Sequence, residues 1–210
     1  MAVYSVFTDT DIEDTLHVLK YVNTVKSIQN AVGNFHQQVL GNVEGWLDSG
    51  ATGGVFDIQS KGPVTAAGNR IVFMEVKMRW NTITGSVEKN KHDEFLYAVK
   101  SNWGNQYPTV GYLAQIVPKK QTTYDQPWKV SGREANEILR VIDGTTAYHL
   151  VTGRSNALEE LMEVLPFALN EVISRKSTDQ VGQSNNFDVR RLKECVKLAY
   201  SASSAFAKTL

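Results

Sequence analysis

The sequence predicts a mixed α/β sheet with helices packed on its faces. Three observations lead there. Stretches with apolar residues at helical spacing alternate with short runs of β-branched and apolar residues. One such run, "RIVFMEVKMRW" (70–80), carries an unbroken apolar row on one side. The 210 residues are 42% hydrophobic and 21% charged and show no internal repeat, which predicts one domain over 1–210 that buries its own core.

The elements follow in order. Residues 10–21 and 24–40 read as helices; in the second, Val25, Ile28, Val32, Phe35 and Val39 recur at helical intervals. "GNVEGWLDSGATGG" (41–54) is a turn-rich connection. "VFDIQ" (55–59) reads as a short strand with Phe56 and Ile58 on one face and Asp57 on the other. A turn at 60–69 leads into the strand 70–80. A helix is expected from about Ser86 to Ser101, with Val87, His92, Phe95, Leu96 and Val99 on its apolar face. "TVGYLAQIV" (109–117) is a strand closed by Pro118. Ser131 and Glu134 match a capping box ahead of a helix at "ANEILRVID", and "AYHLVT" (147–152) reads as a further strand. Asn156 caps a long helix to about Ser174 with a kink at Pro166, and a last helix covers about Asp188 to Ser201.

Composition narrows the function. No apolar run is long enough to span a bilayer, and the N-terminus turns acidic without the basic segment of a secretory signal. The single cysteine, Cys195, excludes a disulfide framework within the chain and points to a reducing, cytoplasmic setting. His17, His36, His92 and His149 lack metal-ligand spacing and read as structural or surface residues. No P-loop and no G-x-S-x-G elbow is present. Net charge is zero but unevenly spread. Residues 1–60 hold two basic and seven acidic side chains, 61–133 eleven and five, and 134–210 nine and ten. The middle block, net +6, has the sign an anionic polymer requires.

The candidate site lies on the strand 70–80. Its even face is Val72, Met74, Val76, Met78 and Trp80, a core row. Its odd face starts with Ile71 and Phe73 and then turns to Glu75, Lys77 and Arg79. One side is therefore held by packing while the other leaves the core for a polar cleft. If the turn at 60–69 folds the two strands together, the carboxylates of Asp57 and Glu75 converge. Two carboxylates, a backbone carbonyl such as that of Val76, and waters suit Mg²⁺, a hard cation that keeps part of its hydration. Lys77 beside them would orient or deprotonate an attacking water, or offset charge on a phosphoryl group. These are the parts that phosphodiester hydrolysis needs.

An aspartate followed by E-x-K on adjacent strands, with helices before and after, resembles the PD-(D/E)XK nuclease superfamily. The longer stretches "NAVGNFHQQVLGNVEGW", "FD" and "EVKMRWNTITGS" are similar to type II restriction endonucleases that cut GGNCC or GGWCC sites. The resemblance covers about residues 20–120 and leaves 121–210 as an α/β and helical C-terminal portion. It implies a restriction-endonuclease-like mixed sheet with extra C-terminal helices. It also implies Asp57 and Glu75 as metal ligands and Lys77 as the catalytic lysine. Phe56 stands before the aspartate, where the superfamily pattern has proline. A further polar helix residue at the metal site would be Gln38, or else Gln37; the alternative for that pair is a solvated helix face.

Arg79, Asn81, Thr82, Thr84 and Ser86 follow the site and suit DNA: arginine and asparagine for base edges, hydroxyls and a helix N-terminus for phosphates. Lys89 and Lys91 either extend that contact or are solvated, and Ser86 either only caps its helix or both caps it and contacts DNA. "PKKQTTYDQPWK" (118–129) is a loop that mixes basic and aromatic residues; it is a further candidate DNA contact, or else an ordinary loop. The expected protein is a Mg²⁺-dependent endonuclease that cuts a short palindromic site in double-stranded DNA. A homodimer would match the symmetry of that site, and a cognate DNA methyltransferase would be a genomic neighbour. The alternatives are a structure-reading repair or junction nuclease, and a non-catalytic DNA-binding protein that keeps the fold.

Overall fold

The computed structural model describes residues 16, 33–49, 54–83, 85–101, 106–119, 122–178, 190, 193, 194 and 200. Helix α1 covers described residues 33–41 and is followed by β1 (Trp46–Asp48), β2 (Ile58–Ser60) and β3 (Ile71–Arg79). Then come α2 (Gly85–Ser101), β4 (Thr109–Val117), β5 (Asp125–Pro127), β6 (Leu139–Asp143), α3 (Gly144–Thr152) and α4 (Ala157–Thr178). The six strands form one sheet in the order β1-β2-β3-β4-β6-β5. β1, β2 and β3 pair antiparallel, β3, β4 and β6 parallel, and β5 runs antiparallel along β6. This is the mixed α/β architecture the sequence predicts. None of the helices among the described residues is long and apolar enough to cross a membrane.

Both faces of the sheet are covered. On one, Val72, Met74, Val76, Tyr112, Ala114 and Ile142 pack against Leu40 of α1 and Ala147, Tyr148 and Val151 of α3. On the other, Phe73, Leu113, Leu139 and Val141 pack against Phe95 and Val99 of α2 and against Trp128 and Val130. β3 belongs to both cores, which explains its apolar content on both sides. The indole of Trp46 donates to the carbonyl of Val151 (3.1 Å), tying the edge strand β1 to α3.

Several elements depart from the sequence reading. The segment expected as helix, 135–143, holds β6, and the segment expected as strand, 147–152, lies inside α3. A short apolar run buried on both faces does not reveal its period. The true helix start is Asp143, whose side chain accepts from the backbone N–H of Thr146 (3.1 Å) and from its hydroxyl (2.6 Å). Ser131 instead opens a turn through Gly132 (φ 76°), so its capping-box match is accidental. β1 and β5 fall in segments read as connections. β2 starts at Ile58, so Asp57 precedes it, and Phe56 joins the α2 side while Ile58 joins the other. Val87 is 57% exposed rather than part of the apolar face of α2, whereas His92, Phe95 and Val99 are buried. Trp80 is half-buried and not core: it carries the Lys119 ammonium 4.8 Å from its ring centre. Most of the expected first two helices, the last helix, His17 and Cys195 lie outside the described residues.

Of the other histidines, His149 is exposed, His92 is buried against Trp128, and His36 is buried with its two ring nitrogens 2.7 Å from the Tyr148 hydroxyl and 2.5 Å from that of Tyr200. Burial lowers the His36 pKa from 6.5 to about 4, while the neighbouring hydroxyls of Tyr148 and Tyr200 are pushed above their ordinary range and do not titrate in that window. The unfolded chain therefore takes up a proton as pH falls through 6.5, and the native state resists until about 4. The stabilisation is complete above pH 6.5 and is lost toward pH 4. At about 1.4 kcal/mol per pKa unit, this is a loss of about 3 kcal/mol. Urea unfolding at both ends of the window should show that loss in the parent and a smaller one in His36→Gln. Equal pH dependence in the two proteins would refute it.

Candidate active site

The site is built where β3 leaves the core. Asp57 is clamped before β2: its N–H donates to the carbonyl of Met74 (3.0 Å), and its own carbonyl accepts from the N–H of Ser49 (2.8 Å). Its carboxylate Oδ2 accepts from the N–H of Val76 at 2.6 Å. The side chain thus takes the place of a backbone acceptor beside β3. Phe56 supplies the anchor from the other side, with ring centroids 4.4 Å from Phe73 and 5.2 Å from Phe95. Where the superfamily pattern has a rigid proline, this chain has an aromatic ring packed into the α2-side core.

Glu75 points to the same side as Phe73 but meets the rim of that core, and only 9% of it is exposed. Lys77 follows two residues on, so its Cβ emerges on the same face. Its Nζ lies 2.6 Å from Glu75 Oε1 and 3.9 Å from Asp57 Oδ2. The three side chains singled out in the sequence are therefore brought together. Burial raises the Glu75 pKa first, and the Asp57 charge adds to it; Lys77, and more weakly Lys91, oppose the rise. Two carboxylates facing one another in a half-closed site are a cation-seeking arrangement. Each keeps an oxygen outside the contacts just described.

That donor set fits a hard divalent ion. Asp57 and Glu75 offer carboxylate oxygens, Val76 lines the open cleft beside Asp57, and that cleft leaves the remaining positions to water. Among the described residues no group of three or more His, Cys, Asp or Glu side chains forms an alternative metal cage.

The cleft has a volume of about 770 Å³ and is lined by Asp57, Val76, Lys77, Arg79, Asn81 and Thr82, with Gly33, Asn34 and Gln37 of α1 opposite. Of the sequence candidates, Arg79, Asn81 and Thr82 do face this cleft. Thr82 folds back, its hydroxyl donating to the carbonyl of Arg79 (2.7 Å). The glutamine that reaches the cleft is Gln37, held by its amide on Asp48 Oδ1 (2.8 Å); Gln38 is exposed and lines none of it. Lys91 and Lys89 part company. Lys91 shares a small void with Glu75, Phe95 and Trp128, whereas Lys89 lies toward the turn at Gly132. Ser86 is in the first turn of α2, and Thr84 lies outside the described residues. Sequence reasoning missed Lys91 as a second cation facing Glu75, although its even spacing from Phe95 on one helix face was visible.

A mixed sheet flanked by helices, with Asp57 just before β2 and Glu75 and Lys77 on β3 gathered at the edge of an open polar cleft, defines the class: a restriction-endonuclease-like α/β fold. The Eco47II restriction endonuclease family model matches residues 3–174, and the chain belongs to that family. It is 37% identical over 163 residues to the type II restriction enzyme Eco47II of Escherichia coli, covering 74% of this chain and 64% of that protein. It is 26% identical over 161 residues to the type II restriction enzyme Sau96I of Staphylococcus aureus, covering 72% of this chain and 57% of that protein. The chain thus spans about three fifths of the length of these curated relatives. No solved structure matches the chain.

Proposed function

We propose that this chain is a type II restriction endonuclease that hydrolyses phosphodiester bonds at a specific short palindromic site in double-stranded DNA, with Mg²⁺ as cofactor. The observation that carries the reading is the convergence of Glu75 and Asp57 on Lys77 at the edge of an open cleft, within a chain of this family. Asp57 and Glu75 would hold the metal together with the Val76 carbonyl. When bound, the ion supplies Lewis acidity at the phosphate and a more acidic water. Lys77, positioned by Glu75, holds the attacking water or the phosphoryl oxygen at its Nζ. Gln37 is the helix residue that would complete the site, in place of Gln38. Arg79, Asn81, Thr82 and Lys91 are the proposed DNA contacts, with Thr84, Ser86 and Lys89 extending them. A symmetric homodimer is the proposed assembly, a cognate DNA methyltransferase the proposed genomic neighbour, and the cytoplasm the proposed location, all within one domain over 1–210.

The test is a digest of unmethylated phage DNA by the purified chain, with Mg²⁺ and with EDTA. Discrete bands in Mg²⁺ alone are expected, and sequencing their ends reads out the target. A metal-dependent smear would replace the site-specific reading with a structure-reading or nonspecific nuclease. Intact DNA in both lanes, with a shift on a native gel, would leave a DNA-binding protein without the enzyme.

A further inference from the structure

A second cleft, about 580 Å³, opens beyond the end of β3, between the C-terminal ends of β3 and β4 and the strap 122–130. We propose that it is a nucleic-acid backbone subsite, in which Lys119 and Lys129 hold phosphates of the DNA flanking the bond to be cut. This rests on the nuclease reading of the neighbouring carboxylates and lysine.

Register places the subsite. Gln115 lies on the floor of this cleft and is the partner of Lys77 on the adjacent strand. Partners in neighbouring strands sit about 4.8 Å apart and send their side chains to the same face. The second cleft is therefore one strand over from Lys77, on the face that also carries Glu75. Duplex DNA carries a charge about every 1.7 Å of its axis. A duplex with one phosphodiester at Lys77 must lay other phosphates across the strands beside it.

Chemistry selects the occupant. Trp80, the residue after β3, forms one wall, and the Lys119 ammonium rests over its ring at 4.8 Å. A cation over an indole face is held in place without being neutralised. Lys129 lines the same cleft from the strap. The Gln115 carbonyl oxygen accepts from the Tyr124 hydroxyl (2.7 Å), which turns the amide toward donating. Among the described lining residues the one carboxylate, Glu88, faces the indole N–H of Trp128 at 3.4 Å. The furnishing is mostly donors and cations against aromatic walls. That matches an acceptor-rich polyanion better than an apolar ligand. The strap is also fixed: Tyr124 donates its N–H to Asp143 Oδ2 (2.8 Å), and β5 pairs along β6. The described residues of the basic and aromatic segment "PKKQTTYDQPWK", 118, 119 and 122–129, thereby acquire a location beside the site.

The test is the salt dependence of binding to a fluorescent mixed-sequence DNA duplex in EDTA, with the parent, the double variant Lys119→Gln/Lys129→Gln, and Lys61→Gln as control. Lys61 is exposed and follows β2, at the end of β3 away from Lys77. Each lost phosphate contact lowers the log–log slope by about 0.9, so the double variant should lose about two and the control nothing. An unchanged slope in the double variant, or an equal fall in Lys61→Gln, overturns the subsite. Thermal transitions of the three proteins show that the slopes compare folded chains. The digest keeps the two readings apart. Cleavage by the parent with an unchanged slope removes the subsite and leaves the nuclease. A lysine-dependent slope without cleavage leaves the subsite and removes the nuclease.

Discussion

Replacing Asp57 or Glu75 is expected to abolish cleavage, by on the order of a thousandfold or more, while DNA binding survives. The choice of substitution matters because the two carboxylates also have structural partners. Asp57→Ala strips the acceptor from the Val76 N–H, and an unsatisfied backbone donor costs about 1–3 kcal/mol. Asp57→Asn keeps an oxygen there and removes only the charge. Glu75→Gln removes a carboxylate that burial and the Asp57 charge both disfavour, so its melting temperature should equal or exceed that of the parent. Single-turnover cleavage in Mg²⁺ and a binding isotherm in EDTA separate the effects. Parental cleavage rates in Asp57→Asn or Glu75→Gln would remove these residues from the site. Loss of binding and cleavage together, with a lowered melting temperature, would make their role structural.

The largest stability effect is expected at Gly144, outside the carboxylate and lysine cluster. It follows the cap Asp143 at the junction of β6 and α3 and is buried. A Cβ placed there would press into the carbonyl oxygen of Ile116 and lie 2.9 Å from the Ile116 Cα, with Leu158 Cδ2 at 3.0 Å. The first obstacle is backbone of β4 and cannot rotate away. Gly144→Ala should therefore lose about 3 kcal/mol or more, at the upper end of overpacking costs. Chemical denaturation checks it. A variant within about 0.5 kcal/mol of the parent would show that α3 can slide on the sheet without penalty.

What the sequence revealed tracks how local each signal was. β3 was legible because nine residues alternate against a long apolar row, and β4 because its length and Pro118 bound it. Asp57, Glu75 and Lys77 were legible for the same reason: two of them sit on one face of one regular strand. The helix and strand around 135–152 were exchanged because Leu139, Val141 and Ile142 are buried on both faces, and because the cap that decides the matter, Asp143, ends an apolar run in place of preceding a polar one. Phe56 was assigned the wrong face because its ring leaves the sheet to meet Phe73 and Phe95, a contact no alternation rule contains. The choice between Gln37 and Gln38 turned on the rotation of α1, which Asp48 fixes from a strand the sequence hid among glycines.

The bond between the Asp57 carboxylate and the Val76 amide has a use beyond the proposed chemistry. It wires one oxygen of the carboxylate and lysine cluster directly to a backbone proton of β3. Anything that changes the electron density on that carboxylate must be felt at this proton. The amide resonance of Val76 is therefore an intrinsic gauge, readable without label on the DNA, of when the site is engaged.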